Sequence, residues 1–475
     1  MKNDTYNHIY LFVISMISAM GGFLFGYDWV VIGGAKPFYE RFFEITQSPV
    51  AQGWAMSCAL VGCLAGAAIS GALSDRYGRK KLLMLSAALF LVSSGLTGAA
   101  HSFQSFVIYR IIGGIGIGLA SNLSPMYIAE VTPAHLRGKY VSINQLTLVI
   151  GILAAQLFNW WIADPVPEGA TDAFILQSWN GQTGWRIMFW AALVPSALFL
   201  LLLIWLPESP RWLATRQHTD KARQVLARIG GERHAQTELQ AIVQTMDADT
   251  RMHWRQLFRP GVSRILIIGI VIAAFQQWCG INVIFNYAEE VFRAAGYGVS
   301  QTLLNIVITG SVNLIFTLVA MYTVDRWGRR RLMIFGACGL AVIYAIMGTL
   351  YYMQFSGWPL LLLVVLAICC YAMSLAPVTW VVLSEIFPNS LRGSMMAIAT
   401  LALWAASFGL TYTFPLLNSA LGAAGTFWLY GVICVGGFIF IRAYLPETKG
   451  RSLEEIEQDM IGGNKPAAAR PVTAG

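Results

Sequence analysis

The chain has 475 residues, of which 56% are hydrophobic and only 12% charged. Soluble domains carry roughly 25% charged residues, so two or three water-facing domains of this total length would lack the charge for their surfaces. A spanning helix needs about 20 mostly apolar residues, whereas a strand of a membrane barrel needs only about 10. The composition excludes an ordinary soluble enzyme, a disordered chain and an outer-membrane barrel. It leaves a polytopic helical membrane protein.

In chain order, apolar stretches predict spans at 9–34, 53–73, 82–100, 106–128, 141–163, 187–206, 262–292, 301–324, 332–354, 359–387, 393–416 and 425–444. The net charge of +8 is a matter of position. Of the 32 lysines and arginines, all but Lys36, Arg41, Arg110, Arg186 and Arg293 fall on one side of this arrangement. The positive-inside bias makes that side cytoplasmic, together with both termini, in a plasma membrane of the bacterial inner-membrane type. Basicity spent on topology implies no nucleic-acid partner; the lipid bilayer is the solvent.

All seven cysteines lie in apolar spans without CxxC spacing, and the six histidines form no paired-ligand pattern, so neither a disulfide framework nor a metal site is expected. Buried thiols then act as small hydrophobes. The first apolar stretch runs past Asp28 without a small-residue cleavage site and is read as a span, not as a signal peptide. Membrane-embedded catalysis is not expected either, since no span carries a nucleophile–base pair.

An internal repeat organises the chain. Asp75-Arg76-Tyr77-Gly78-Arg79-Lys80 between spans two and three is matched by Asp325-Arg326-Trp327-Gly328-Arg329-Arg330 between spans eight and nine. Glu130 followed by Arg137-Gly138 after span four is matched by Glu385 followed by Arg392-Gly393 after span ten. Pro207-Glu208-Ser209 closes span six and Pro446-Glu447-Thr448 closes span twelve. Three matched pairs in one order predict two six-helix halves, 1–206 and 261–444, a linker at 207–260 and a tail at 445–475. Apolar residues at helical spacing (Val225, Leu226, Ile229; Leu239, Ile242, Val243) predict short cytoplasmic helices in the linker. Ser452 with Glu455 reads as a capping box, and the Ala/Pro/Gly-rich tail after Gly462 as disordered.

Two related halves describe a transporter with a shared central site and rocking halves. In that setting Arg–carboxylate pairs among Asp75, Arg76, Arg79, Glu130, Arg137, Glu208, Asp325, Arg326, Arg329, Glu385, Arg392 and Glu447 form a latch that closes the cytoplasmic ends when the site faces outward. The alternative is that these residues only set topology.

The segments GALSDRYGRK, YIAEVTPAHLRG, PESPRW, QQWCGIN, VDRWGRRR, SEIFPNSLRG and PETKG resemble the sugar porter family of the major facilitator superfamily, from about Gly21 to Leu453. PESPRW with PETKG and QQxxGIN are more specific than the DRxGRR loop alone. The resemblance implies an all-α membrane protein with the major facilitator fold: twelve transmembrane helices in two six-helix halves, joined by short cytoplasmic helices. It also implies a monosaccharide substrate, a pentose or hexose, no cofactor other than a proton as coupling ion, and a single chain as the expected working unit. Gln145, Gln276, Gln277, Asn282 and Asn313 fall on family sugar-binding positions, and Trp380 and Trp404 would supply aromatic walls. Amides suit such a ligand because they both donate and accept without charge; a lone intramembrane amide can equally be helix–helix glue.

Departures from the family pattern are Asn286 for a usual Tyr, Ala376 for a common Gly, Ile152 for the second Gln of one symporter, and the bulky Trp29 after the acid. They bear on which sugar is taken.

Asp28 is the one acid in the middle of an apolar span, where a charge costs about 2.5–3.5 kcal/mol even on insertion scales. By resemblance, proton symporters carry Asp here and facilitators Asn, and Arg110 falls on the partner position. An Asp that is charged beside Arg and neutral without it can trade a proton; a permanent structural pair is the bland alternative. The small-residue runs Gly22/Gly26, Gly62/Gly66 and Gly114/Gly118 read as tight helix packing. The reading is import of a monosaccharide with a proton by alternating access. A sugar uniporter is the first alternative. A non-transporting sensor is the second, and the short tail after Gly450 argues against it.

Overall fold

Two spans of the first half begin on caps that are legible in the sequence. Ser48 accepts from the Ala51 amide and Pro49 fills the first turn of helix Pro49–Tyr77, while Ser102 and Ser105 cap each other at the start of Phe103–Val131. Such caps satisfy amides that a helix leaves orphaned at its N-terminus. The computed structural model describes residues 6–248, 257, 259–388, 391–449, 451, 455–456 and 460; the Ser452 capping box and the tail after Gly462 lie outside them.

Eleven helices among the described residues are long and apolar enough to cross a membrane. The last of them, Arg392–Tyr444, has 53 residues and reverses at Gly422 (φ 66°, ψ 176°), so it crosses twice and the crossings number twelve. The predicted stretch 417–424 between spans eleven and twelve is therefore a turn at one glycine, not a loop. Spans one to six form one half and spans seven to twelve the other, as the repeat predicts.

Among the described residues three spans are broken where one continuous helix was expected: span six divides into Trp185–Trp190 and Leu193–Trp205, and spans seven and ten follow the same pattern. Span seven, predicted at 262–292, is Pro260–Trp278, then Ile281–Asn286, then Ala288–Ala294. The membrane-crossing part is Gly261–Asn286, and Ala288–Ala294 lies beyond it. Gly280 makes the break at φ 85° and lies against the Tyr430 ring, 2.8 Å from where a Cβ would stand. Only glycine tolerates both conditions. Span ten is Trp358–Met373 followed by Leu375–Ile386, with Ser374 between them donating to the Cys370 carbonyl at 2.5 Å. Discontinuous spans are where transporters tend to place their polar sites.

Within the first half, span one lies directly on span five. A Cβ on Gly26 would collide with the Leu148 carbonyl, and one on Gly151 with that of Phe23. That close approach holds Asp28, two residues further along, against its neighbours. Between the halves, span two packs on span eleven and span five on span eight, through Gly53 against the Tyr412 carbonyl and Gly310 against the Gln156 side chain. These contacts lie towards the side away from the basic loops.

The long hydrophilic stretch forms helices Pro210–Thr215 and Thr219–Ala248, the latter interrupted at Gly230 and Gly231 (φ 80°). It is anchored to the first half. The Trp212 indole donates to the Asp75 carbonyl at 3.0 Å, and Arg216 reaches the Asp75 and Arg76 carbonyls, each at 3.0 Å.

Candidate functional site

Asp28 and Arg110 meet in the core of the first half. Arg110 Nη1 donates to Asp28 Oδ1 at 2.6 Å, with Asp28 6% and Arg110 2% exposed. The guanidinium also lies over the Phe189 ring, 5.6 Å from its centroid. The pairing is incomplete: Asp28 Oδ2 and Arg110 Nε are buried without a hydrogen-bond partner. A cavity of about 10 Å³ adjoins them, lined by Trp29, Met56, Cys63 and, from the second half, Asn286. That is room for about one water. Asn286 thus faces the acid across the boundary between the halves, and its Oδ1 is likewise buried and unpartnered.

The polar residues of span seven form a chain that crosses the break at Gly280 and reaches span ten. Asn282 Nδ2 donates to Gln277 Oε1 at 2.5 Å, Gln277 Nε2 to Gln276 Oε1 at 2.6 Å, and Gln276 Nε2 to the Tyr371 hydroxyl at 2.7 Å. The three amides are each 6–7% exposed. Tyr371, on the first segment of span ten, is not a residue that sequence reasoning would select: a tyrosine in an apolar span reads as core. Trp404 of span eleven sits with two side chains of span one, 5.5 Å from Phe25 and 6.1 Å from Trp29 between ring centroids. Its indole Nε1 is buried without an acceptor. Trp29 therefore joins the acid's own helix to an aromatic wall of the second half. Gln145 and Trp380 are half-buried and Asn313 is 5% exposed; the hydrogen-bonded chain does not include them.

The matched loops fold into the same device twice. In the first half Arg79 Nε and Nη2 hold Glu130 with two bonds of 3.0 Å, and Ser209 Oγ donates to Glu130 at 2.5 Å. Glu208 Oε1 accepts from the amides of Arg79 and Lys80 at 2.9 and 3.1 Å. In the second half Arg329 Nη2 lies 3.0 Å from Glu385 Oε1 and Thr448 Oγ1 donates to Glu385 at 2.6 Å. Glu447 Oε1 accepts from the Arg329 amide at 2.9 Å. A carboxylate at a helix N-terminus satisfies orphan amides and opposes the positive end of the dipole.

Each of these pairs lies within one half. Other members of the predicted latch go elsewhere. Arg76 and Arg326 lie over the Tyr77 and Tyr322 rings, 5.2 and 4.0 Å from the centroids. Arg137 donates to the Ala129 carbonyl at 3.0 Å and Arg392 reaches the Phe387 carbonyl at 3.5 Å. Asp75 is 3.4 Å from Arg79 with its side chain 78% exposed; the side chain of Asp325 lies outside the described residues.

Ion pairs that do cross between the halves occur on the opposite side, where Lys36 and Arg41 of span one meet Glu289 and Glu290. In this structure that side is bridged.

The profile of the family described as "Sugar (and other) transporter" matches residues 14–460. The chain belongs to the sugar transporter family. Its members are transporters, not enzymes. Among curated relatives of this sugar transporter, the D-xylose-proton symporter of Escherichia coli (strain K12) is 40% identical, covering 96% of each chain. The arabinose-proton symporter of Bacillus subtilis (strain 168) is 38% identical over 94% of this chain and 95% of that one. A glucose facilitated diffusion protein of Zymomonas mobilis is 34% identical over 94% and 96%. The inward open xylose transporter of E. coli superposes with a TM-score of 0.82 at 38% identity, covering 94% of this chain and 99% of that one. The same transporter bound to 6-bromo-6-deoxy-D-glucose gives 0.78 at 39% identity, over 95% and 99%.

Proposed function

We propose that this sugar transporter imports a monosaccharide, a pentose or hexose, together with a proton by alternating access across a bacterial inner membrane, its basic side cytoplasmic. The observation that carries the reading is the half-satisfied Asp28–Arg110 pair beside Asn286. A buried acid with one unpartnered oxygen at the boundary of two halves that move against each other changes its partners in every cycle, which suits it to carry the coupling proton. Gln276, Gln277, Asn282 and Tyr371 supply donors and acceptors for sugar hydroxyls, Gln145 and Asn313 extend that set, and Trp380 and Trp404 flank the apolar CH faces. The unpartnered Trp404 N–H is one donor ready for a hydroxyl.

Three facts support an inward-facing assignment: the bridging pairs on the far side, the confinement of the cytoplasmic pairs to single halves, and the likeness to an inward open relative. The uniporter remains the second reading, favoured by Ile152, which is buried at 8% exposure on span five, and by the facilitated-diffusion relative. Proteoliposomes loaded at neutral pH, placed in acidic medium and offered a panel of labelled pentoses and hexoses separate the two. Concentration of one of them above the external level, abolished by a protonophore, supports symport; equilibration alone supports the uniporter.

The cytoplasmic devices stiffen the loops that must meet when the site turns outward. Glu385→Ala strips partners from both Arg329 and Thr448 and is expected to shift the population towards inward-facing by roughly fivefold to tenfold, about 1 kcal/mol for a partly exposed charge-assisted set. Labelling of cysteines engineered on each side, in a Cys338→Ser background, reads this shift. Unchanged or increased outward exposure counts against a latch.

A further inference from the structure

By sequence Lys36 and Arg41 are exceptions to the positive-inside bias; in the fold they centre a buried charge cluster between the halves. Lys36 is 1% exposed. Its Nζ lies 2.9 Å from Glu40 Oε1 on its own helix, 3.8 Å from Glu289 Oε2, and is bonded to Glu290 Oε1. Arg41 Nη1 is 3.6 Å from Glu289 Oε1 and its Nε donates to Asp172 at 2.8 Å. Asp172, with a side chain 63% exposed, is largely solvated. Glu40, Glu289 and Glu290 are 4%, 7% and 15% exposed at the side chain.

Three buried carboxylates thus face two cations, one of them shared with a fourth acid. Gln52 donates to Glu40 Oε2 at 3.2 Å, but Glu290 Oε2 is buried with no partner. The other titratable groups packed around the cluster are Tyr39, Tyr287 and Cys58. The Tyr39 hydroxyl lies 3.1 Å from Met56 Sδ, the Tyr287 hydroxyl donates to the Thr411 carbonyl at 2.5 Å, and Cys58 is buried on span two. All three types are neutral near pH 7 and balance nothing. Arg186 stacks on Phe42 but gives its Nη1 to the Gly98 and Ala100 carbonyls, and Arg293 is exposed. An excess negative charge out of water is removed most cheaply by binding a proton.

We propose that this cluster is an outer gate that binds a proton from the external water on a carboxylate oxygen of Glu290 or Glu40 each time it closes, and returns it to that water on opening. The proposal rests on the alternating-access reading. Burial raises the Glu290 carboxyl above its ordinary value, an effect that Lys36 only partly opposes. Since the closed state binds more protons than the open one, closure is favoured at low pH and lost as pH rises through the closed-state pKa. External acid, the condition that loads Asp28 in a symporter, then also favours shutting the door behind the cargo.

The test uses the full chain without sugar, in a Cys338→Ser, Asp28→Asn background that removes the exposed thiol and the central titration. Spin labels go on Val50→Cys and Leu421→Cys, whose parent residues are 51% and 50% exposed near the outer ends of spans two and eleven. Between about pH 5.5 and about pH 8 the short-distance population in the reference chain is expected to fall at least threefold or so. Glu290→Gln neutralises the excess while keeping the shape, and is expected to hold the short distance at both pH values. Glu40→Gln serves the same purpose should the first variant not fold. Lys36→Met, which leaves three carboxylates to Arg41, is expected to give the long distance at the higher pH.

A reference distribution identical at both pH values overturns the proposal, as does a full pH response retained in both Gln variants. Because sugar and Asp28 are absent from the measurement, failure of the symport reading in uptake leaves this result standing, and the reverse.

Discussion

Asp28→Asn is expected to abolish uphill, acid-driven sugar accumulation in proteoliposomes while leaving sugar binding and sugar exchange in place. Asparagine copies the shape of the protonated acid but cannot ionise, so the site no longer trades a proton between the two sides. The Arg110 Nη1 contact of 2.6 Å to Oδ1 can persist to the amide oxygen, and the fold is held independently by the Gly26 and Gly151 approach of spans one and five. Arg110→Ala acts differently. It leaves a carboxylate 6% exposed without its counter-charge, at a cost of about 3–5 kcal/mol if the charge is kept. The acid escapes that cost by staying protonated, so transport stalls at proton release. Continued concentration of sugar by Asp28→Asn from an acidic medium would sink the coupling role.

Gln277→Ala is expected to lower sugar affinity by tenfold to a hundredfold, because this side chain is the middle link of the amide chain. Its removal strands Gln276 Oε1, which accepts from it at 2.6 Å, and Asn282 Nδ2, which donates to it at 2.5 Å. Each stranded buried group costs about 1–3 kcal/mol, and the sugar then meets amides no longer held in place. Tyr371→Phe loses only the terminal link to Gln276 and is expected to cost less, about threefold to tenfold. Calorimetric titration of each variant with the transported sugar reads both effects, and thermal melting separates them from misfolding. Parent-like affinity in Gln277→Ala would place the sugar elsewhere.

What could be read in advance follows from which features are local. The offsets between Arg79 and Arg329, and between Glu208 and Glu447, are visible as text, and the two loops they mark fold alike because each motif carries its own cap and counter-charge. The apolar lengths of the spans are equally local. Asp28 stood out because an acid in an apolar run has no cheap explanation, and Arg110 because its own span is otherwise apolar. The direction of the loop pairs was not local: whether Arg79 reaches Glu130 in its own half or a carboxylate in the other is set by tertiary packing.

The break at Gly280 was hidden because the apolar pattern continues through it, and the Tyr430 ring that demands a glycine there lies in span twelve. Tyr371 was hidden by its type and Lys36 by its position. A lysine at a span end is ordinarily a topology mark, and nothing in its neighbours along the chain announces Glu289 and Glu290.

The twin capped loops also bear on how such a chain is made. All partners of the first loop, Glu130, Glu208 and Ser209, have been synthesised before span seven exists, so the first half can reach its final wiring while the ribosome is still working on the second. The second loop must wait. Arg329 obtains Glu447, and Glu385 obtains Thr448, only after twelve spans have entered the bilayer. A product interrupted after Tyr444 would own every span yet leave the Arg329 amide uncapped and Glu385 without its hydroxyl. Its first half would then hold contacts whose counterparts in the second half are still missing.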